Sequence, residues 1–328
     1  MIEQLIIIKS HNDEDNIERC IKSVIAQKNI LNLKLYIIDD ASSDRTQDII
    51  MFYKKYFFKM ELRKMNKGPS FNYEDYNKII HNYSNGYVVI LSGDDYFPIE
   101  KTIFHEKIFT KYDVGLHFGN GFVKDHNNSV IKIYPNKSII RKGNTFLNRN
   151  KKIYLDLIDN NYIPSFAAAY SIKYLKIIGG FKCIPINNLS VDFSTICFLS
   201  TVSDFYYSNK NLGYWIKSDN QQTALRRDEQ IILDFQFIVF FNDYLYKNSY
   251  INSFQKKILF YKSLKFRNYK YFDLLKKSLI NRNLGQFFIN FVKVLIFPSS
   301  FLVKLKSILI LLLYPFPSIY KKILSFKS

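Results

Sequence analysis

The feature that most constrains the fold is the alternation, before Asp95, of short apolar runs with stretches of helical period. Residues 5–8, 33–38, 60–65 and 87–91 read as strands. Between them, Ile17, Cys20, Ile21, Val24 and Ile25 recur at i, i+3, i+4, i+7 and i+8, the spacing of one apolar helix face. Thr46, Ile49, Ile50 and Tyr53 make a second such face, and residues 73–83 a third helix. Asn12-Asp13 and Ser43 offer N-caps to the first two. This order argues for a parallel α/β sheet flanked by helices. Ligands of such sheets sit beyond the carboxyl ends of the strands. Three polar clusters fall on that edge: Ser10-His11-Asn12 after the first strand, Asp39-Asp40 after the second, Asp94-Asp95 after the fourth. Four carboxylates on one rim repel each other unless a cation or a donor-rich ligand compensates them.

Beyond Asp95 the pattern changes. Residues 114–118 and 121–134 alternate as antiparallel strands do, and a helix is expected over 145–158. A helix at 172–178, a helix capped by Ser190, a last strand at 212–216 and helices from 231 onward complete the reading.

The motifs, in this order, resemble the family 2 glycosyltransferases of GT-A fold, over residues 4–222. IIIKSHNDEDNIERCIKSVIAQ is similar to the family's first strand, nucleotide loop and first helix, and IIDDASSDRT to its second-strand signature. LSGDD stands where the family carries its DXD-type metal motif. AAAYSIKYLKIIGGF resembles the segment before the acceptor site, and VDFS the acidic helix start that supplies the base. The resemblance implies a Rossmann-like GT-A domain with a mixed, mainly parallel sheet. It implies inverting transfer of a sugar from a nucleotide-sugar, with a UDP-sugar expected, to an acceptor hydroxyl. Asp95 is then expected to hold a divalent cation, Mn²⁺ or Mg²⁺, for which hard oxygen ligands are suited. Asp94 is expected on the ribose hydroxyls, Asp39 on a base N–H or a ribose hydroxyl, and Ser10 and Asn12 along the base pocket. Asp192 is expected to be the general base. Three positions depart from the pattern: Ser92 where Asp is frequent, Val191 where an acid is frequent, and His11 where an aromatic or small residue is usual.

Read without the resemblance, each position also has a structural role open to it. Asp94-Asp95 and Asp40 suit turns, Asn12 suits a cap, and Asp44 and Asp192 suit first helical turns, where the dipole favours acids. Lys67 suits a solvated loop or the phosphates; Arg226 and Arg227 suit a diphosphate clamp.

Charge divides the chain. Of a formal +19, fourteen units lie in residues 251–328, where 15 Lys or Arg face a single acid, Asp273. The basic residues are interleaved with aliphatic runs such as 308–313, which favours an anionic membrane surface over nucleic acid. The longest uncharged run there, 307–320, has 14 residues and two prolines, against the roughly 20 apolar residues of a membrane span. Gln286, Asn290 and Lys293, and again Ser300, Lys304 and Ser307, draw narrow polar stripes on apolar helices, as in helices lying in a membrane surface. A helical subdomain packed on the catalytic core or on a second subunit is the other reading. Two regions are expected: 1–225 for nucleotide-sugar binding and catalysis, and 226–328 as a helical, basic, amphipathic, membrane-associating extension.

The three cysteines, Cys20, Cys183 and Cys197, are widely spaced and offer no disulfide framework or metal knuckle, and the N-terminus lacks a basic n-region. A cytoplasmic enzyme, peripheral on the inner face of the cell membrane, is expected. The resemblance adds a lipid-linked glycan acceptor and a place in surface-polysaccharide assembly, capsule or O-antigen. A nucleotidyltransferase would want a glycine-rich basic loop after the first strand, where residues 10–13 are acidic and lack glycine. An inactive homologue stays open through Val191.

Overall fold

The computed structural model describes residues 2–27, 33–63, 72–125, 127–135, 143–148, 150, 153–159, 161–185, 190–217, 227–280, 283–296 and 308. Lys67, Arg226 and the Ser300–Lys304–Ser307 stripe lie outside them. The chain forms two compact units, Met1–Arg226 and Arg227–Ser328.

The first unit is an α/β sheet. Its elements are β1 (Gln4–Ser10), α1 (Ile17–Ile25), β2 (Leu33–Asp39), α2 (Thr46–Phe52), β3 (Lys59–Leu62), α3 (Asn72–His81), β4 (Tyr87–Ser92) and α4 (Lys101–Lys111). There follow β5 (Leu116–Lys124), β6 (Val130–Tyr134), β7 (Thr145–Leu147), α5 (Ile153–Asp159), a 3-10 turn (Ser165–Ala167), β8 (Ala168–Ser171), α6 (Ile172–Ile177), α7 (Val191–Val202) and β9 (Phe205–Ile216). The strands lie in the order β3-β2-β1-β4-β8-β5-β9-β7, with β6 added on β5. β3, β2, β1 and β4 are mutually parallel, while β8 runs antiparallel between β4 and β5. Leu5 to Ile8 are fully buried, as expected of a strand covered on both faces. Ile17, Cys20, Ile21 and Val24 of α1 pack into the same core as Ile6, Ile8, Leu35, Ile37, Val89 and Leu91.

The chain leaves β1 toward β2 on one side and reaches β4 on the other, which makes β1 the topological switch point where a crevice opens beyond the strand ends. Ser10 pairs with Asp39 and Lys9 with Ser92, so the three polar strand ends stand side by side.

Three expectations are corrected. The helix expected over 145–158 is a strand followed by a shorter helix, because Thr145, Phe146 and Leu147 pair antiparallel with Tyr207, Tyr206 and Phe205. Phe146 also packs edge-on against Tyr112 and Tyr206, an aromatic cluster that favours pleated backbone. The last strand begins at Phe205, seven residues before the 212 expected, and it pairs parallel with β5 from Phe205 to Ile216. The caps expected of Ser43 and Ser190 are absent as side-chain bonds: α2 starts with the Asp44 carboxylate accepting from Thr46 N–H, and Ser190 precedes α7 without a side-chain cap.

The second unit contains α8 (Arg227–Lys247), α9 (Ser253–Ile280) and α10 (Leu284–Ile296). Among the described residues no helix is long and apolar enough to cross a membrane. The polar stripe expected on α10 is divided: Gln286 and Lys293 are partly exposed, while Asn290 is on the packed side. Asn290 is fully buried while Phe288, Ile289 and Val292 are exposed, because α10 packs against α9, where Val294 accepts from Asn268 Nδ2.

Candidate active site

Loops after β1 and β2 are stitched together residue by residue. Asn12 takes a left-handed conformation (φ 54°), sends its backbone N–H to Ser42 Oγ and accepts from Ser43 N–H through Oδ1 at 2.8 Å. Asp13 N–H donates to Thr46 Oγ1, and Glu14 N–H to Asp44. Asn12 is therefore exposed at the rim but spends its amide oxygen on the neighbouring loop.

Asp39 ends β2 and is fully buried. Its carboxylate accepts from Ser42 N–H (3.0 Å), Ser42 Oγ (2.5 Å) and Gln47 Nε2 (2.7 Å). Asp40 turns to the other side, where Arg63 Nη1 donates to its Oδ1 at 2.7 Å and Arg63 Nη2 pairs with Asp75. This buried acid–guanidinium–acid triad ties β2, the exit of β3 and α3 together. It gives Asp40 a structural task, as its turn reading allowed.

At the end of β4, Gly93 permits a close approach. A Cβ there would lie 2.3 Å from Asp13 Oδ2 and 3.1 Å from Ser10 Oγ. Ser10 is buried, and its hydroxyl donates to Asp13 Oδ2 at 3.0 Å; His11 N–H donates to the same oxygen. Burial, and then the charge of Asp94, push the Asp13 carboxyl up to about 6. Asp95 is 6% exposed and accepts from Ile216 N–H through Oδ1 at 3.0 Å. Burial first, then Asp94, hold its carboxyl well above the usual range. Asp94 is half-buried, and its carbonyl accepts from Arg19 at 3.3 Å. Lys9, one residue before the strand end, lies in the fields of Asp40, Asp13 and Asp94, while burial lowers its pKa. Just outside the corner, Tyr96 and Tyr214 stack with centroids 4.6 Å apart, flanked by Arg19 and Lys124.

Ser10, Asp94 and Asp95 thus share one corner with Asp13. Asn12 is the chain neighbour of Asp13, and Asp39 stands beside Ser10 on β2, two strand spacings, about 10 Å, from the β4 exit that carries Asp94 and Asp95. Asp192 occupies a third position, half-buried in the first turn of α7. Its charge acts on Tyr170 of β8 and on Tyr76 of α3, and Tyr76 also feels Arg63 and Asp40.

Two members of this site went unread in the sequence as site residues. Lys9 is a lone charge in an otherwise apolar strand, a usable signal. Asp13 reads as a cap, and only the approach of Gly93 turns it toward Asp94.

The family model for glycosyl transferase family 2 matches residues 5–166, most of the first unit and the whole of the acidic edge. The N-terminal unit is a family 2 glycosyltransferase domain. Its α/β sheet has the GT-A architecture. No curated relative matches the chain. Among solved structures, S. aureus TarS 1–349 in complex with UDP-GlcNAc is similar with a TM-score of 0.60 at 14% identity, over 88% of this chain and 80% of that one. The same TarS segment in complex with UDP gives a TM-score of 0.55 at 14% identity, over 80% of this chain and 71% of that one. At such identities the likeness is one of fold. Among the described residues, no group of three His, Cys, Asp or Glu side chains of the glycosyltransferase is placed to hold a metal ion.

Proposed function

We propose that this glycosyltransferase binds a nucleotide-sugar across the β2–β1–β4 edge and transfers the sugar, with inversion, to a hydroxyl of a lipid-linked saccharide in cell-surface polysaccharide assembly. The observation that carries the reading is the coincidence of the family match with Asp39, Asp94 and Asp95 at the β2 and β4 ends that flank the switch point at β1. UDP and UDP-GlcNAc are ligands of the similar TarS structures, and a UDP-sugar is the donor assigned here.

Asp39 is assigned to the base or the ribose, with Asn12 and the buried Ser10 shaping the loop around it. Asp94 is assigned to the ribose hydroxyls. Burial first, and then the charge of Asp94, raise the Asp13 and Asp95 carboxyls, and a divalent cation would offset both costs. Asp95 would hold it, Mg²⁺ or Mn²⁺, with the remaining ligands supplied by the diphosphate and water, as such ions accept. Bound there, the ion supplies Lewis-acid stabilisation of the departing diphosphate. Asp192 is assigned to take the acceptor's proton; such a base must come within hydrogen-bond reach of the hydroxyl.

The helical unit is assigned to the anionic inner surface of the cell membrane, supported by its basic charge and by the exposed Phe254, Tyr261, Phe288, Ile289 and Val292. A thermal-shift screen of UDP-, GDP- and dTDP-sugars, with and without Mn²⁺, tests the reading. One donor is expected to raise Tm in the wild type and not in Asp95→Ala. No response to any donor sinks it.

A further inference from the structure

Lys101, the first residue of α4, is fully buried. Removing an ammonium from water costs several kcal/mol unless its surroundings compensate, so a lysine at such a place has specific partners. Its Nζ donates to the Phe166 carbonyl at 2.8 Å and lies 3.9 Å from the centroid of the Phe97 ring. The carboxylate whose field acts on it is Asp95, six positions earlier at the acidic corner. Burial drives Lys101 toward its neutral form and Asp95 opposes that. His105 and His117, buried and joined through their Nδ1 atoms at 2.9 Å, lie within reach of its charge, with His117 Nε2 2.8 Å from Ser208 Oγ.

The Phe166 end of this link is equally constrained. A Cβ on Gly121 would lie 2.5 Å from the Phe166 ring, and one on Gly213 would lie 2.4 Å from its carbonyl oxygen. Phe166 is thus wedged between β5 and β9, its ring centroid 6.0 Å from that of Trp215. The neighbouring Ile216 N–H holds Asp95. The Ser165–Ala167 turn leads directly into β8, which lies between β4 and β5.

We propose that Lys101 is a positioning residue of the transfer site, coupling the Asp94–Asp95 corner to the Ser165–Ala167 turn, so that a nucleotide diphosphate at the corner resets the turn around Phe166. The proposal rests on the assignment of Asp95 to the diphosphate end of the donor. It differs from a packing role, in which Lys101 would serve only to satisfy a buried carbonyl.

Trp215 is the single tryptophan of the chain, so its emission reports on the Phe166 turn. Full-length protein is titrated with UDP, GDP and dTDP, each with Mn²⁺, by calorimetry and by Trp215 emission in parallel. In the wild type, one nucleotide is expected to bind and to change the emission. In Lys101→Met, the emission change at saturation is expected to fall at least about fivefold and the nucleotide to bind at least about fivefold more weakly, the lower end of a coupling between sites. Lys101→Arg, which keeps the charge, is expected to retain the emission change. If Lys101→Met shows no cooperative melt, Lys101→Gln, which keeps a donor for Phe166 but no charge, replaces it with the same expectation. A wild-type emission change preserved in the neutral variant, with or without a lower Tm, overturns the coupling. Binding without any emission change in the wild type also overturns it and leaves the Asp95 assignment standing. Absence of binding by all three nucleotides overturns the Asp95 assignment itself, and the coupling with it.

Discussion

Asp95, proposed above as the cation ligand, is a carboxylate deprived of water. It is almost fully buried, has one backbone donor on Oδ1, and shares its corner with Asp94 and Asp13. A carboxylate so placed is destabilising by itself and pre-organised for a positive ligand. Asp95→Asn is therefore expected to leave Tm unchanged or raised while weakening Mn²⁺-dependent nucleotide binding by at least about tenfold, read by differential scanning fluorimetry and calorimetry. Asp13 makes a pH prediction. Its carboxyl is raised from 3.8 to about 6 in the folded chain, so the folded state holds the proton more tightly than the unfolded one. Its contribution to stability is then most favourable below pH 4 and declines as pH rises to about 6. Tm measured across that window is expected to fall less steeply in Asp13→Asn than in the wild type.

Elements set where these side chains can go. Gly93 ends the approach of the β4 exit to the β1 exit, with Asp13 Oδ2 within 2.3 Å of any added Cβ. Gly93→Ala is expected to cost about 1–3 kcal/mol by urea denaturation, the range for forcing extra volume into a packed site, and to weaken nucleotide binding with it. Arg63 joins elements differently, holding Asp40 after β2 and Asp75 on α3 in one buried triad. Arg63→Ala leaves two buried carboxylates without their counter-charge, for which about 3–5 kcal/mol is expected by the same measurement. That triad settles why the second acid of the Asp39-Asp40 pair serves the scaffold. Adjacent residues of a strand point to opposite faces, so one of the two faces the loop and the other faces the strand–helix layer.

At the scale of the whole molecule, positive charge is concentrated in the second unit, which also exposes apolar side chains. It holds most of the net positive charge, and α10 exposes Phe288, Ile289 and Val292 while burying Asn290. Flotation of the full chain with vesicles containing anionic lipid is expected to decrease as salt rises from low to physiological strength, each basic residue near the surface contributing about 1 kcal/mol. Replacing Phe288 and Ile289 by Ser is expected to reduce flotation further at fixed salt. Binding that is indifferent to both changes argues for a protein partner on that face.

The sheet and its acidic edge were legible from residues 4–95 because their determinants are local: apolar periodicity sets the strand, and the residue after the strand necessarily stands at its carboxyl end. Asp39, Asp94 and Asp95 follow from that rule alone. What the chain could not disclose locally depends on partners far away in sequence. Phe146 becomes a strand residue because Tyr206 needs a neighbour, Asp95 is held by an amide 121 positions later, and Lys101 meets a carbonyl 65 positions away. Such contacts exist only once strand order is settled, and strand order is a property of how the whole sheet buries its two faces.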